Sequence, residues 1–319
     1  MNNFKKVGFS ALAGSLVATS AMAGEVTVAG SAGMYLEHIN GGAANAGKSF
    51  SMDNQLTFTG GGELDNGLNV SVSFVIDQGD GVTATTAPFD SHSVTVSSDA
   101  FGSVTMHGEG MSSASGALDS TPSGNIWDAF QAAADEPEAA PGAVGGLSFA
   151  LPTLMDGLAL SASYTPKGTN ADSSSAFGIV YTGVEGLTLT YASGTDNNSL
   201  SSEADHTVMS AKYAMGPITV AVMQSEYDDE VAAGDQVTDA YSIAYTVSDE
   251  LSISYGAEEL EFGVQSSSQV AAEFERIKVS YTAGGMTLTA SQATGDNVSY
   301  STAATEDREV WALGASFAF

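Results

Sequence analysis

Residues 110–144 carry five carboxylates, Asp119, Asp128, Asp135, Glu136 and Glu138, and no Lys or Arg. Acids gathered without bases at a narrow point draw cations. The same acids spread over an outer loop would only keep it soluble. Other chemistry finds little support. The four histidines, His38, His92, His107 and His206, are scattered without metal-ligand spacing. The serines include no Gly-x-Ser-x-Gly elbow. The chain has no cysteine, which excludes disulfides, thiolate metal sites and cysteine nucleophiles. No enzyme, no metal site and no resident cofactor is expected.

The elements that position these residues follow from composition and pattern. Charged residues make up 14% of the chain, against about 25% in soluble domains. Gly, Ser, Thr, Val and aromatics favour strands over helices. Patterned apolar residues at 43% argue against disorder. With 8 Lys and Arg against 38 Asp and Glu, the formal charge is −30, so nucleic acid is a poor partner.

Residues 1–23 read as a secretory signal peptide. Lys5 and Lys6 form its basic start, Val7 to Ala18 its apolar stretch, and Ala21-Met22-Ala23 its cleavage site. The mature chain, 24–319, is then exported, and no later apolar run could span a membrane as a helix.

From residue 24 the pattern has period two, one apolar face and one polar face. Val26, Val28, Gly30, Ala32, Met34 and Leu36 alternate with Glu25, Thr27, Ala29, Ser31, Gly33 and Tyr35. Sixteen such segments are expected, at 24–37, 49–60, 67–77, 91–98, 102–109, 145–151, 157–165, 174–182, 186–193, 206–214, 217–225, 237–246, 250–258, 271–281, 286–292 and 307–319. Short connections such as Met215-Gly216-Pro217 and Gly284-Gly285 alternate with long ones rich in Gly, Asp, Asn and Ser. The longest is 110–144, and a connection of that length is usually functional.

This is an all-β chain, and the pattern fits a 16-stranded antiparallel transmembrane β-barrel better than a soluble sandwich. Tyr181, Tyr213, Tyr245 and Tyr281 fall on the apolar face at the short-turn end, with Phe58 and Phe319 at equivalent positions. Such a ring suits a membrane–water interface. Lipid offers no partner to an open edge, so the first strand must pair with the last.

Several stretches resemble the general porin family of Gram-negative outer membranes, of alpha-proteobacterial type. They are Glu25-Val26-Thr27-Val28-Ala29-Gly30-Ser31-Ala32, Ala100-Phe101-Gly102-Ser103-Val104-Thr105-Met106, Leu147-Ser148-Phe149-Ala150-Leu151-Pro152 with the strand from Gly157, and the ending Trp311 to Phe319. The resemblance implies a homotrimer of pores in outer-membrane lipid and lipopolysaccharide, open to passive diffusion of small hydrophilic solutes and ions. It implies a longest loop folded inward as a constriction, and a terminal Phe319 read by the barrel-insertion machinery.

Family members set basic residues on the wall against the acidic loop. Here the period places Glu25, Glu37, Asp53, Asp77, Glu109 and Glu258 inward, with only His107, Lys212, Arg276, Lys278 and Arg308 as basic counterparts. A cation-preferring channel is therefore expected. Arg276 and Lys278 lead the wall candidates, unless they pair locally with Glu273 or Glu275. A short helix is expected over Ala129–Ala134 with Trp127. Asp228-Asp229-Glu230 and Glu258-Glu259/Glu261 are expected in external loops, where a divalent cation such as Ca2+ could bind and bridge to lipopolysaccharide phosphates. Two other functions fit the same fold: a substrate-selective channel, and a surface or adhesive protein whose barrel is only an anchor.

Overall fold

The computed structural model describes residues 26–41, 47–77, 89–130, 142–143, 145–166, 172–197, 203–230, 235–262 and 270–319. The expected signal, Glu25 and the loop acids Asp135, Glu136 and Glu138 lie outside them.

Sixteen antiparallel strands follow in chain order: β1 (Thr27–Asn40), β2 (Gly47–Glu63), β3 (Asn69–Asp77), β4 (Phe89–Ser98), β5 (Gly102–Glu109), β6 (Leu147–Ala150), β7 (Leu158–Thr165), β8 (Ser174–Val184), β9 (Leu187–Asp196), β10 (Ala204–Met215), β11 (Ile218–Asp229), β12 (Gln236–Thr246), β13 (Leu251–Phe262), β14 (Ala272–Ala283), β15 (Met286–Asp296) and β16 (Arg308–Ala318). Each pairs with its sequence neighbours, and the sheet closes into a barrel. The seam joins β1 to β16 in a register from Ser31↔Ala318 to Asn40↔Glu309. Phe319 completes it, its N–H donating to Gly30 O (2.9 Å) and its O accepting from Gly30 N (2.7 Å). No edge is left to meet lipid. The turn between β14 and β15 uses Gly284 and Gly285, both at positive φ (58° and 80°), the conformation a two-residue hairpin needs.

Directly paired residues share a face, so the registers fix which side chains look outward. Tyr181, Tyr213, Tyr245 and Tyr281 all do, and Tyr213, Tyr245 and Tyr281 are 43%, 47% and 43% exposed. Phe58 is outward too, stacked on Phe74 with ring centroids 4.7 Å apart. A second outward aromatic set stands nearer the long connections, including the neighbours Phe177–Tyr191 (5.9 Å) and Tyr241–Tyr255 (6.2 Å). Trp311 and Phe319 lie eight residues apart on or just beyond β16, ~27 Å along the strand, enough to bracket an apolar band tilted across a bilayer.

Several strands run further into the long connections than alternation suggests. β1 reaches Asn40, β11 reaches Asp229, and β13 reaches Phe262. Asp228, Asp229, Glu258, Glu259 and Glu261 therefore stand in strands, not in external loops. Their backbones keep pairing after the lipid-facing apolar pattern has ended. Pairing needs only backbone groups, whereas alternation records what each face touches.

The buried apolar core lies inside the barrel. One cluster joins Ile39, Leu260, Ala272, Phe274, Ala293 and Val310 from the wall with Ile126 and Phe130 from the longest connection and Val298 and Tyr300 from the last. A second joins Ala192, Val208, Met223 and Ala240, with Leu118 packed on it. An evenly polar lumen face, as the alternation suggests, is thus not what forms. Many inward positions of β9 to β16 nearest the long connections are small or apolar, and the longest connection packs on them.

Candidate functional site

The described half of the longest connection runs along this apolar wall. It leaves β5 through Gly110, and Met111–Ser112 pairs with Gly142–Ala143 as a two-stranded ribbon. Two 3-10 turns follow, Gly116–Leu118 and Ile126–Phe130. The second stands where a short helix is expected from Trp127 onward. Residues 131–134 of that expected helix lie outside the described residues.

Wall side chains tie the segment down in order. The Ala114 N–H donates to Ser163 Oγ (2.8 Å) on β7. His206 on β10, fully buried, meets Asp119 Oδ2 through Nε2 (2.9 Å), with Ser225 Oγ at 3.2 Å. Glu258 on β13, 3% exposed, accepts from the Thr121 hydroxyl, from Ser123 Oγ (2.6 Å) and from the Trp127 N–H (3.2 Å). Arg276 on β14 donates to the carbonyls of Ser123 and Gly124 (3.3 Å to the latter). Arg308 on β16 donates to Phe130 O (3.1 Å) and to Glu306 (2.8 Å). Between Glu258 and Arg276, Gly256 has no side chain, and a Cβ there would overlap Ser123. Within the loop, Thr121 and Asn125 exchange bonds, Thr121 N to Asn125 Oδ1 (3.0 Å) and Asn125 N to Thr121 Oγ1 (2.7 Å).

This geometry reassigns several expected pore residues. Arg276 and Arg308 are inward, as expected, but their guanidinium groups hold loop carbonyls. Arg276 does not pair with Glu273 or Glu275, which occupy the opposite, outward phase of the same strand. Lys278 is inward and half-buried, and Lys212 is inward and exposed toward the short-turn end of β10. His107 is inward on β5, bonded to Ser148 Oγ (2.9 Å). Glu109 does not continue that row. A bulge follows His107, and Glu109 pairs with outward His92. Asp119 is engaged by His206, and Asp128 is exposed.

The opposite wall differs in kind. Inward positions of β1 to β5 carry Tyr35, Glu37, Asp53, Gln55 and Asp77 among Ser and Thr, with Ile39 and Val75 buried between them. No Lys or Arg has inward phase there among the described residues, since Lys48 pairs with His38 on the outer face. The Tyr35 hydroxyl donates to Asp53 Oδ2 (2.8 Å). Glu258 was expected inward, but its part in holding the loop was not. Neither were the apolar contacts of Leu118, Ile126 and Phe130. Their signal is an inward phase holding Val208, Met223, Ala240, Phe274 and Val310 where a lumen would show polar residues. Among the described residues no group of His, Asp or Glu is placed to hold a metal ion.

A family model described as Gram-negative porin matches residues 9–274. Among curated proteins none matches the sequence. A multiply substituted variant of Rhodobacter blastica porin is 14% identical, covering 92% of this chain and 100% of its own, with a TM-score of 0.67. A loop-deleted form of OmpT, an outer membrane protein of Vibrio cholerae, is 14% identical over 93% of this chain and 100% of its own, with a TM-score of 0.66. At such identities the likeness is one of fold.

Proposed function

As a member of the Gram-negative porin family, to which this chain belongs, the protein is an outer-membrane β-barrel channel, and we propose that it conducts small hydrophilic solutes and ions by passive diffusion with a preference for cations. The preference rests on one observation. The wall of β1 to β5 turns Glu37, Asp53 and Asp77 inward and, among the described residues, no Lys or Arg. A carboxylate-lined passage lowers the energy of an entering cation and raises that of an anion. Of the inward bases on the other wall, Arg276 is turned onto the loop and Arg308 pairs with Glu306, leaving Lys212 and Lys278 against these three carboxylates. Ion passage breaks no bond, so the reading requires neither catalytic residue nor cofactor.

On the same premise, residues 1–23 are a signal removed on export. The mature chain assembles as a homotrimer in lipid and lipopolysaccharide, and Phe319 is the mark read by the insertion machinery. The outward phase of β1 to β5 holds no tyrosine, in contrast to β8 to β14, which suits β1–β5 to face another subunit.

Planar-bilayer recording of the detergent-purified protein across a KCl gradient tests the reading. Stepwise openings in threes, with a reversal potential favouring K+ over Cl−, are expected. A reversal potential at zero would overturn the cation preference. Folded protein without steps would favour a barrel that serves only as an anchor.

A further inference from the structure

Tyr35 lies unusually for a lumen tyrosine. A Cβ built on Gly314, its β16 register partner, would stand 3.0 Å from Tyr35 Cδ1. A Cβ on Gly33, two residues away on the same face, would overlap the Tyr35 hydroxyl and Asp53. The ring therefore lies along the wall over two residues that lack side chains. Its partner on β2 is Ser51, and the partners of Glu37 are Ser49 and Ala312. Apart from Asp53 and Glu37, these neighbours and Thr289, which the same Gly314 Cβ would meet first, at 2.6 Å, are small. The hydroxyl is held by Asp53 at 2.8 Å, which fixes the ring over Gly33, and Glu37 follows on the other side of Tyr35, two residues or about 6.6 Å along the strand.

We propose that Tyr35, Asp53 and Glu37 form a binding subsite for small organic ammonium ions on their way through the channel. The inference rests on the cation-preferring reading and adds a chemical class to it. An aromatic face attracts a cation within about 6 Å of its centroid through the ring quadrupole, and donation of the phenol proton toward a carboxylate adds electron density to the ring. K+ gives up its hydration reluctantly. An alkylammonium ion presents a weakly hydrated, apolar surface that an aromatic face can meet. Asp53 and Glu37 supply charge beside the ring, and Gly33 and Gly314 keep it flat and accessible.

The test is the block of K+ current through the full-length channel by tetraethylammonium. Wild type, Tyr35→Leu, Tyr35→Phe and Gly314→Ala are compared, and the KCl reversal potential of each is measured separately. Saturable block is expected in wild type. The half-blocking concentration rises about two- to fivefold in Tyr35→Leu and Gly314→Ala, the range an exposed cation–π contact provides. Tyr35→Phe, which keeps the face, stays within about twofold. Unchanged reversal potentials in all four show intact channels and an intact carboxylate field. Block that does not saturate, or is equal in Tyr35→Leu, overturns the subsite while leaving cation preference standing. Equal loss in Tyr35→Phe and Tyr35→Leu assigns binding to the Asp53 contact and overturns the aromatic role. A wild-type reversal potential at zero instead removes the reading beneath it.

Discussion

The two inner walls of this barrel are built from the same alternation and do opposite work. From β7 to β16 the inward positions near the long connections are small or apolar, and residues 111–130 pack on them. The charged groups there, Glu258, Arg276 and Arg308, and the imidazole of His206 are directed at loop atoms. From β1 to β5 the inward positions are mostly Ser, Thr, Tyr and carboxylates, with His107, Val75 and Ile39 among them, and Ile39, at the long-connection end of β1, is the inward residue there that joins the loop cluster among the described residues. One wall anchors the loop and the other faces the lumen. An inward charge therefore shapes conduction only when it is not turned onto the loop.

The largest expected effect comes from breaking the anchoring wall. Glu258→Ala strands two hydroxyls and one N–H, and each bond to a buried carboxylate contributes about 1.5–3 kcal/mol. The loop should detach, giving larger, noisier single-channel currents and new proteolytic cleavage between residues 111 and 130, while the barrel stays folded. Quiet currents of wild-type size would show that apolar packing alone holds it.

Inverting the open wall comes next. Glu37→Lys combined with Asp53→Lys should move the KCl reversal potential toward Cl−, with little change in current noise. An unmoved reversal potential would place the selectivity elsewhere.

Arg276→Gln sharpens the contrast with a smaller effect. It removes a full charge from the lumen side, yet that charge is held against Ser123 and Gly124. Noise should rise, and the reversal potential should shift less than with the paired Glu37 and Asp53 change. A shift as large as theirs would make Arg276 part of the conducting surface after all.

Much of this architecture is legible in the sequence, because lipid imposes period two on every strand and closure imposes an even count. All sixteen segments appear where the alternation places them, and the tyrosines at 181, 213, 245 and 281 point outward as it requires. The strand ends at Asn40, Asp229 and Phe262 were hidden because pairing outlasts the bilayer pattern. The role of the inner wall was hidden for another reason. Period two says that Glu258 and Arg276 face inward, but not that a loop 130 or more residues away in sequence meets them there. Inward Met223, Ala240 and Phe274 were the available hint, since apolar residues do not face an aqueous lumen without cover. Glu109 was misplaced because a bulge in β5 carries no mark in the alternation itself.

The natural chain has no cysteine, so single-cysteine variants give an unambiguous readout of the two walls. Asp53→Cys and Ala240→Cys channels can be exposed to cationic and anionic thiol reagents while current is recorded. The account predicts that position 53 is modified, faster by the cationic reagent, with a loss of current, and that position 240 stays protected beneath Leu118. Equal modification at both positions, or faster attack by the anionic reagent at 53, would contradict it.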